Sequence, residues 1–193
     1  MLVKIIEQVP DILFNSALEE IQNIDWSKID DSVRRRRAEF ATSSSIHIRV
    51  ASSKLTLGKK SVNEMSTVCE CEDNAVWSNQ FNAVRRLSDW MFKTVNGKTL
   101  GRIMIVNLEP QGQVPLHVDP KDYFEMYSRF HVPFKTNPNV VFNGGEDTEN
   151  EHMPLQYLSR LNNRLPHQLD NNSDENRIHL IVDIETEGGN QIF

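Results

Sequence analysis

Apolar residues recur with a helical period in the first half of the chain. Within residues 10–22 they return every three or four positions, behind a proline that suits the first turn of a helix. Residues 77–95 carry a longer stripe of the same period, which ends at Asn96-Gly97, a common helix stop. One strand is predicted in this half, over residues 45–50. The pattern predicts two helices that each bury one face against a core.

Beyond Gly97 the pattern changes to short apolar runs, separated by turn residues about every ten positions. Such runs are typical of the strands of a β-sandwich or barrel. We expect a single domain over residues 1–193, in which helices and a strand from residues 1–97 cover a β core over residues 98–185, followed by a tail at 186–193. The strands of this core are predicted at residues 101–110, 129–134, 139–144, 153–158 and 177–184.

Composition and charge exclude several classes of protein. The 193 residues carry 21 Lys and Arg against 27 Asp and Glu, and the net charge of −6 disfavours a nucleic-acid coat or a polybasic membrane binder. No apolar run approaches the roughly 20 residues of a membrane helix, and the first residues lack the apolar segment of a signal peptide. The two cysteines, Cys69 and Cys71, are too few for a secreted disulfide scaffold. We therefore expect a cytoplasmic protein.

Two pairs of side chains, each two residues apart, are candidates for chemistry. In an extended segment His117 and Asp119 point to the same face and offer an imidazole and a carboxylate to a metal. Two histidines and one carboxylate with open positions form the usual non-haem Fe(II) site. Arg129 and His131 share one face of a predicted strand in the same way. The alternatives are a histidine beside a solvated aspartate for the first pair, and a surface arginine with a half-buried histidine for the second.

A third candidate lies near the end of the chain. Arg177 opens the apolar run RIHLIVDI, ten residues after His167. A guanidinium at the mouth of an apolar barrel would suit a bound dicarboxylate, because its planar fork pairs with two carboxylate oxygens. An ion pair with Asp174 or Asp183 is the alternative.

The order and spacing of three segments resemble the aspartyl/asparaginyl β-hydroxylase family. The segments are GRIMIVNLEPQGQVPLHVD, SRFHVPFKTNP and LPHQLDNNSDENRIHLIVDI, which together cover about residues 100–185. The resemblance implies a mainly β fold with flanking helices and a double-stranded β-helix core of the jelly-roll or cupin kind. It also implies an Fe(II)- and 2-oxoglutarate-dependent dioxygenase, which uses dioxygen to hydroxylate a C–H bond and releases succinate and CO2.

The resemblance also implies roles at the metal. His117 and His167 match the two iron-binding histidines of the family. Asp119 stands where the general triad of iron oxygenases has its carboxylate, which some family members lack. The resemblance therefore implies a complete metal-binding and catalytic triad in this chain.

The co-substrate residues follow from the same resemblance. Arg177 matches the arginine that pairs with the distal carboxylate of 2-oxoglutarate, and Arg129 with His131 matches an Arg-x-His near the co-substrate. One contact departs from the family, because Val106 stands where a serine can help to hold 2-oxoglutarate. That contact is either lost or supplied elsewhere.

The substrate implied by the family is an amino acid, free or within a peptide or protein, and neither a membrane nor a nucleic-acid partner is expected. Two alternatives remain open. A non-catalytic, metal-binding cupin-like module would need no Arg177. A nucleotide- or nucleic-acid-directed 2-oxoglutarate oxygenase would need a basic, aromatic-lined groove. The aromatic residues within 123–130 favour this second alternative, whereas the acidic residues within 119–125 oppose it.

Several features receive no role from the sequence. His179 shares a strand face with Arg177 and is expected in the barrel core or behind the residues that touch ligands, with entry into the site as the alternative. The arginine run 34–37 and the acidic segment 145–151 are expected to be solvated. The insert at 121–127 and the oligomeric state are left unassigned.

Overall fold

A computed structural model of the chain describes residues 1–29, 41–52, 69–119, 121–144 and 150–187. The arginine run 34–37, most of the acidic segment 145–151 and most of the tail 186–193 lie outside these ranges. Within them, no helix combines the length and the apolar character needed to cross a membrane.

The described regions contain ten strands and three helices, of which the last is a single turn, together with a 3-10 turn at Trp26–Lys28. In chain order they are β1 (Val3–Gln8), α1 (Asp11–Gln22), β2 (Ser43–Ala51), β3 (Cys71–Asp73), α2 (Asn82–Thr94), β4 (Gly97–Leu108), β5 (Gln113–His117), α3 (Lys121–Phe124), β6 (Ser128–Lys135), β7 (Val140–Gly144), β8 (Tyr157–Leu161), β9 (His167–Asn171) and β10 (Arg177–Thr186).

The strands form two antiparallel sheets. The larger sheet has the order β1-β8-β6-β10-β4-β2-β3, and the smaller sheet has the order β5-β9-β7. The last strand, β10, therefore lies at the centre of the larger sheet, between β4 and β6. Strands β1 to β3, all before residue 97, extend this same sheet. The prediction of a mainly β fold with flanking helices is confirmed.

One face of the larger sheet packs against α1 and α2. Leu180 and Val182 of β10 are completely buried in a single apolar cluster that also holds Leu87 of α2. Phe14 of α1 stacks on Phe134 of β6, with ring centroids 5.0 Å apart. Each such side chain contributes about 1.5–3 kcal/mol on burial, so this layer supplies much of the stability of the fold.

The opposite face of the larger sheet points towards the smaller sheet and is partly polar. Arg177, His179, Ile181 and Asp183 alternate with the apolar row of β10, and each is at most 7% exposed. Burying a polar or charged group costs free energy unless it finds a partner. An arginine, a histidine and an aspartate on one buried face therefore locate the candidate site between the two sheets.

The start of α2 differs from the sequence-based expectation. The apolar stripe over residues 77–95 predicts a helix along its whole length, but the helix begins at Asn82. Its first free amides, those of Ala83 and Val84, donate to the carboxylate of Glu20 in α1 at 2.8 and 3.0 Å. A side chain from another helix thus satisfies the N-terminus of α2, and local sequence cannot reveal such a contact.

Four strands are missed by the sequence pattern, and the shortest of them, β3, has only three residues at the edge of the larger sheet. Strand β1 pairs only with β8 at the sheet edge and buries Val3 alone, so its side chains do not alternate between buried and exposed positions. Strand β5 has no buried residue, and β9, expected as a loop up to His167, buries His167 and Asn171 as well as Leu169. Because polar residues occupy buried positions of β9, an apolar count cannot detect it. These two strands carry the metal-binding candidates.

Candidate active site

The two candidate histidines face each other across the smaller sheet. His117 ends β5 and His167 begins β9, and the two residues are direct partners in the strand pairing, with ring centroids 4.3 Å apart. The Nδ1–H of His117 donates to the carbonyl oxygen of Pro115 at 2.8 Å, and that of His167 to Leu165 at 2.9 Å. A carbonyl can only accept, so Nδ1 carries the proton in both rings, and Nε2 is the nitrogen through which each ring can bind a metal.

Asp119 completes a group of three potential ligands. It follows the end of β5, where its backbone N–H donates to the carbonyl oxygen of Asn163 at 3.3 Å. Its Oδ1 lies 3.8 Å from Nε2 of His117, and one ligand atom from each of His117, Asp119 and His167 lies within 4.8 Å of the others. Among the described residues, this is the group of three that could hold a metal ion. Two imidazoles and a carboxylate suit a first-row divalent metal with open coordination positions.

The second carboxylate oxygen of Asp119 is held by the protein. Oδ2 accepts from Nη1 of Arg129 at 3.1 Å and from Nδ2 of Asn163 at 3.1 Å. Burial by itself would raise the pKa of Asp119, but the charge of Arg129 and the neighbouring groups outweigh it and lower the pKa. Asp119 is therefore ionised at neutral pH, with Oδ1 turned towards His117. Burial lowers the pKa of His167, which keeps that ring neutral.

Arg129 lies between two carboxylates. Its Nε and Nη2 donate to the two oxygens of the completely buried Asp183, at 2.9 and 3.0 Å, while Nη1 holds Asp119. Its guanidinium also lies over the Phe124 ring, 4.6 Å from the centroid. The resemblance implies a place for Arg129 near the co-substrate, and the structure places it directly behind the carboxylate of the candidate metal site. Because Nε and Nη2 are both held by Asp183, the planar guanidinium cannot turn, and the direction of the Nη1–H that reaches Asp119 is fixed.

We expect Asp183→Asn to lower the affinity for Mn(II) about 10- to 100-fold, because loss of a group that orients a metal ligand has an effect of that size. The substitution removes one of the two carboxylates that fix Arg129, so Asp119 loses its orientation. Calorimetric titration with Mn(II) measures the change. Asp73→Asn is the matched control, since Asp73 likewise pairs with arginine, in its case Arg49 and Arg85, but lies on β3 away from the site. Equal Mn(II) affinities for the two variants would contradict the orienting role.

A second polar group lies on the same inner face of the larger sheet. Arg177 is 2% exposed, and its Nη2 lies 2.5 Å from Nδ1 of the completely buried His179. Nδ1 of His131 lies 3.4 Å from Nδ1 of His179. Phe142 of the smaller sheet closes this region from the other side, 5.8 Å from the guanidinium of Arg177. Burial and the charge of Arg177 hold the pKa of both histidines well below the usual value, so both rings are neutral.

This inner region has the chemistry of an anion pocket. Nε2 of His131, Nε2 of His179 and Oγ of Ser159 are buried and lack a hydrogen-bond partner within the part of the chain that the structure describes. Buried polar atoms without partners are rare in native proteins. A permanently charged guanidinium beside such atoms, between the sheets that also carry the metal-binding candidates, fits a small oxygen-rich ligand.

A pocket opens beside the candidate metal site. It has a volume of about 270 Å³ and includes Asp119 in its wall. The exposed side chains of Arg164 and Glu125 bring charges of opposite sign to the wall of the pocket. Val118 and Phe124 form the apolar part of the wall. Arg164 is held in place by a hydrogen bond from Nη2 to the carbonyl oxygen of Phe124 at 3.3 Å.

The insert at 121–127, left unassigned by the sequence, supports this wall. Tyr123, Phe124 and Tyr127 are at most 3% exposed and form an apolar cluster with Cys71 of β3. The hydroxyl oxygen of Tyr123 accepts from the backbone N–H of Arg102 in β4 at 3.0 Å. The insert is therefore anchored to the larger sheet.

Two residues that hold the metal-binding candidates, Asp183 and Asn163, receive no such role in the sequence analysis. Asp183 lies six positions after Arg177 on the same strand face, so strand alternation alone could have placed it between the sheets. Asn163 gives no such signal, because it lies in the connection between β8 and β9, and only the folding of that connection brings it to Asp119.

The sequence matches the model of one protein family over more than half of its length. The family model described as aspartyl/asparaginyl beta-hydroxylase matches residues 74–187. Compared by sequence with curated proteins, the chain matches none of them.

Three solved structures share the fold at low sequence identity. A prolyl hydroxylase from Trichoplax adhaerens, in complex with a peptide fragment of the hypoxia inducible factor oxygen degradation domain, has a TM-score of 0.62 at 11% identity, over 96% of this chain and 84% of its own. A prolyl-4-hydroxylase from Pseudomonas putida has a TM-score of 0.53 at 10% identity, over 95% and 91% of the two chains. A 2OG-Fe(II) oxygenase family oxidoreductase from Burkholderia pseudomallei has a TM-score of 0.52 at 9% identity, over 95% of both chains.

These structural likenesses confirm the double-stranded β-helix fold. The family match covers well over half of the chain and includes both candidate iron-binding histidines, Asp119 and Arg177. The chain belongs to the aspartyl/asparaginyl β-hydroxylase family.

Proposed function

We propose that the protein is an Fe(II)- and 2-oxoglutarate-dependent dioxygenase that hydroxylates a C–H bond of an amino acid, free or within a peptide. One observation carries the proposal. A group of two histidines and one aspartate, with ligand atoms within 4.8 Å of one another, shares the space between the sheets with a buried arginine. A metal-binding module without catalysis has no need of that arginine.

The metal would be held by Nε2 of His117, Nε2 of His167 and Oδ1 of Asp119. The carbonyls of Pro115 and Leu165 set the tautomers of the two histidines, and Arg129 holds the other oxygen of the aspartate. When bound, Fe(II) supplies the oxidative chemistry, in which one atom of dioxygen enters the substrate and the other enters succinate as CO2 is released. The contribution of the protein is to orient the ligands and to leave positions open for the co-substrate.

The co-substrate would lie between the metal site and Arg177. The guanidinium pairs with the distal carboxylate, because its fork matches two carboxylate oxygens and its charge is permanent. His131, on the same face of β6 as Arg129, offers a neutral ring between the two ends of the molecule. Phe142 bounds this space on the side of the smaller sheet, with its ring 6.1 Å from that of His131 and 5.8 Å from the guanidinium of Arg177.

The pocket beside Asp119 supports an amino-acid substrate. Its volume of about 270 Å³ suits a small molecule or one side chain, and Arg164 and Glu125 bring opposite charges to it. A free amino acid carries a carboxylate and an ammonium group that would match those charges. The Trichoplax neighbour holds a peptide fragment, which supports the peptide form of the same proposal.

A nucleic-acid substrate receives no support from the aromatic residues near the site. Tyr123, Phe124, Tyr127 and Phe130 are at most 3% exposed, so their faces are not available to stack on bases.

The test is an anaerobic titration of the purified protein with Fe(II) and 2-oxoglutarate. We expect the weak visible charge-transfer band of an iron-bound 2-oxo acid. In air, succinate release measured with pooled amino acids and with short peptides then identifies the form of the substrate that stimulates turnover. Iron binding without the band would identify a metal-binding cupin and would refute the oxygenase. Stimulation by nucleotides alone would refute the amino-acid substrate.

A further inference from the structure

We propose that the substrate is a free α-amino acid, whose carboxylate pairs with Arg164 and whose ammonium group pairs with Glu125. The inference rests on the proposed function and selects between the free form and the peptide form of its substrate. A residue inside a peptide carries neither charge, because its carboxylate and its amine are both part of neutral amide bonds. A pair of opposite charges at the pocket therefore favours the free form.

Arg164 and Glu125 bring their charges to the pocket without neutralising each other. Both side chains are exposed, and both line the pocket that has Asp119 in its wall. Within the described ranges neither of them forms an ion pair, with the other or with a third residue. Two opposite charges that share a pocket and do not pair with each other can each bind a charged group of one ligand.

One hydrogen bond keeps the two charges near each other. Nη2 of Arg164 donates to the carbonyl oxygen of Phe124 at 3.3 Å, and this carbonyl belongs to the peptide group that joins Phe124 to Glu125. The guanidinium thus lies beside the backbone from which the side chain of Glu125 extends. In an α-amino acid a single carbon separates the carboxylate from the ammonium group, so both of its partners must be close together.

The guanidinium of Arg164 keeps donors for a carboxylate. An arginine has five N–H groups, and Arg164 uses only Nη2 in a hydrogen bond to the described residues. Arg160 of β8 adds a second positive charge nearby, and the charge of Arg164 acts together with burial to lower the pKa of Arg160. Because the region around Arg164 is positive, it favours an anionic group of the substrate.

The connection that carries Arg164 also holds Asp119, the carboxylate of the candidate metal site. Asn163, the residue before Arg164, is 1% exposed, accepts from the backbone N–H of Asp119 and donates to its Oδ2. An amino acid bound at Arg164 would therefore lie next to the metal site. The apolar part of the wall, formed by Val118 and Phe124, suits an aliphatic side chain as the part that is hydroxylated.

Substrates that lack one charge, combined with variants that lack its partner, test the two contacts separately. Succinate release by the Fe(II)-loaded protein is first measured with each common amino acid and with short peptides. The most effective amino acid is then compared with its amide, which has no carboxylate, and with its N-acetyl form, which has no ammonium group. These compounds are given to the parent, to Arg164→Met and to Glu125→Gln. Arg86→Met, at an exposed arginine of α2, is the control, and thermal unfolding verifies that each variant is folded.

We expect Arg164→Met to lower kcat/KM for the free amino acid at least about 10-fold, and Glu125→Gln to lower it about 3- to 10-fold. Hydrogen bonds between charged groups are strong, but exposure to water weakens them. With the amide, which is a poor substrate for the parent, Arg164→Met should cause no further loss. With the N-acetyl form, Glu125→Gln should likewise cause no further loss. Arg86→Met should behave as the parent does with every compound.

Three outcomes would overturn the inference. If Arg164→Met lowers the activity with the amide as much as with the free amino acid, Arg164 does not bind the carboxylate. If short peptides increase succinate release and no free amino acid does, the inference is wrong while the proposed function stands. If neither class increases it, the inference is also wrong, and the visible band of the protein loaded with Fe(II) and 2-oxoglutarate tests the proposed function separately.

Discussion

Replacing His117 by alanine should weaken Mn(II) or Fe(II) binding at least about 100-fold and abolish turnover. Groups that merely orient a metal ligand contribute 10- to 100-fold to affinity, so a direct ligand should contribute more. His117 is the better of the two histidines to replace, because its side chain is 25% exposed whereas His167 is buried. Its loss should therefore affect the metal more than the fold.

Calorimetric titration and metal-dependent thermal unfolding measure this effect together. A metal at 100 times its Kd stabilises the parent by about 2.7 kcal/mol, and His117→Ala should lose nearly all of that stabilisation. His47→Ala is the control, since His47 lies on β2 with its Nε2 at 2.8 Å from Oγ of Ser45. If His117→Ala retains the affinity of the parent, the three-ligand site is wrong.

The second large effect should come from Arg177. We expect Arg177→Met to raise the Kd for 2-oxoglutarate about 100-fold or more, because removing one partner of a buried, hydrogen-bonded charge pair costs about 2–5 kcal/mol. Arg177→Lys keeps the charge but loses the fork, so it should fall between Met and the parent. The affinity for Mn(II) should stay near that of the parent in both variants.

Binding of 2-oxoglutarate to the Mn(II)-loaded proteins is the measurement, and Arg85→Lys is the control. Arg85 makes an ion pair with Asp73 on β3, where no co-substrate is expected. Parent-like binding by Arg177→Met would show that the co-substrate, if bound, lies elsewhere. In that case the role of Arg177 would be structural, and the proposed anion pocket would be refuted.

Both effects depend on how the larger sheet uses its two faces. Along β10, the residues that point to the helices are apolar and stabilise the fold, whereas Arg177, His179 and Asp183 point between the sheets. A single strand thus carries the arginine that we propose for the co-substrate, the histidine beside it and the aspartate that holds Arg129 behind the candidate metal site. Because these three residues are fixed by one rigid strand, their spacing is set by the pleat of the sheet.

The sequence by itself determined how apolar residues recur in each half of the chain, and this spacing predicted both longer helices and most strands of the mainly β fold. Residue spacing also indicated His117 with Asp119 as metal ligands and Arg177 as a partner for a carboxylate, and the resemblance to the family added His167 as the second histidine. Local periodicity and the chemistry of single residues are properties of the linear chain, and they are readable without the fold.

Tertiary structure alone decided which of these residues touch. It placed His117 opposite His167 through a pairing of β5 with β9. Neither strand gives an apolar signal, because β5 has no buried residue and polar residues occupy buried positions of β9. It also brought Asn163 to Asp119 and gave Asp183 to Arg129 rather than to Arg177. These contacts join residues that are 44 to 54 positions apart in the chain. Their distances are set by sheet topology and register, which depend on the packing of the whole domain and not on any local run of residues.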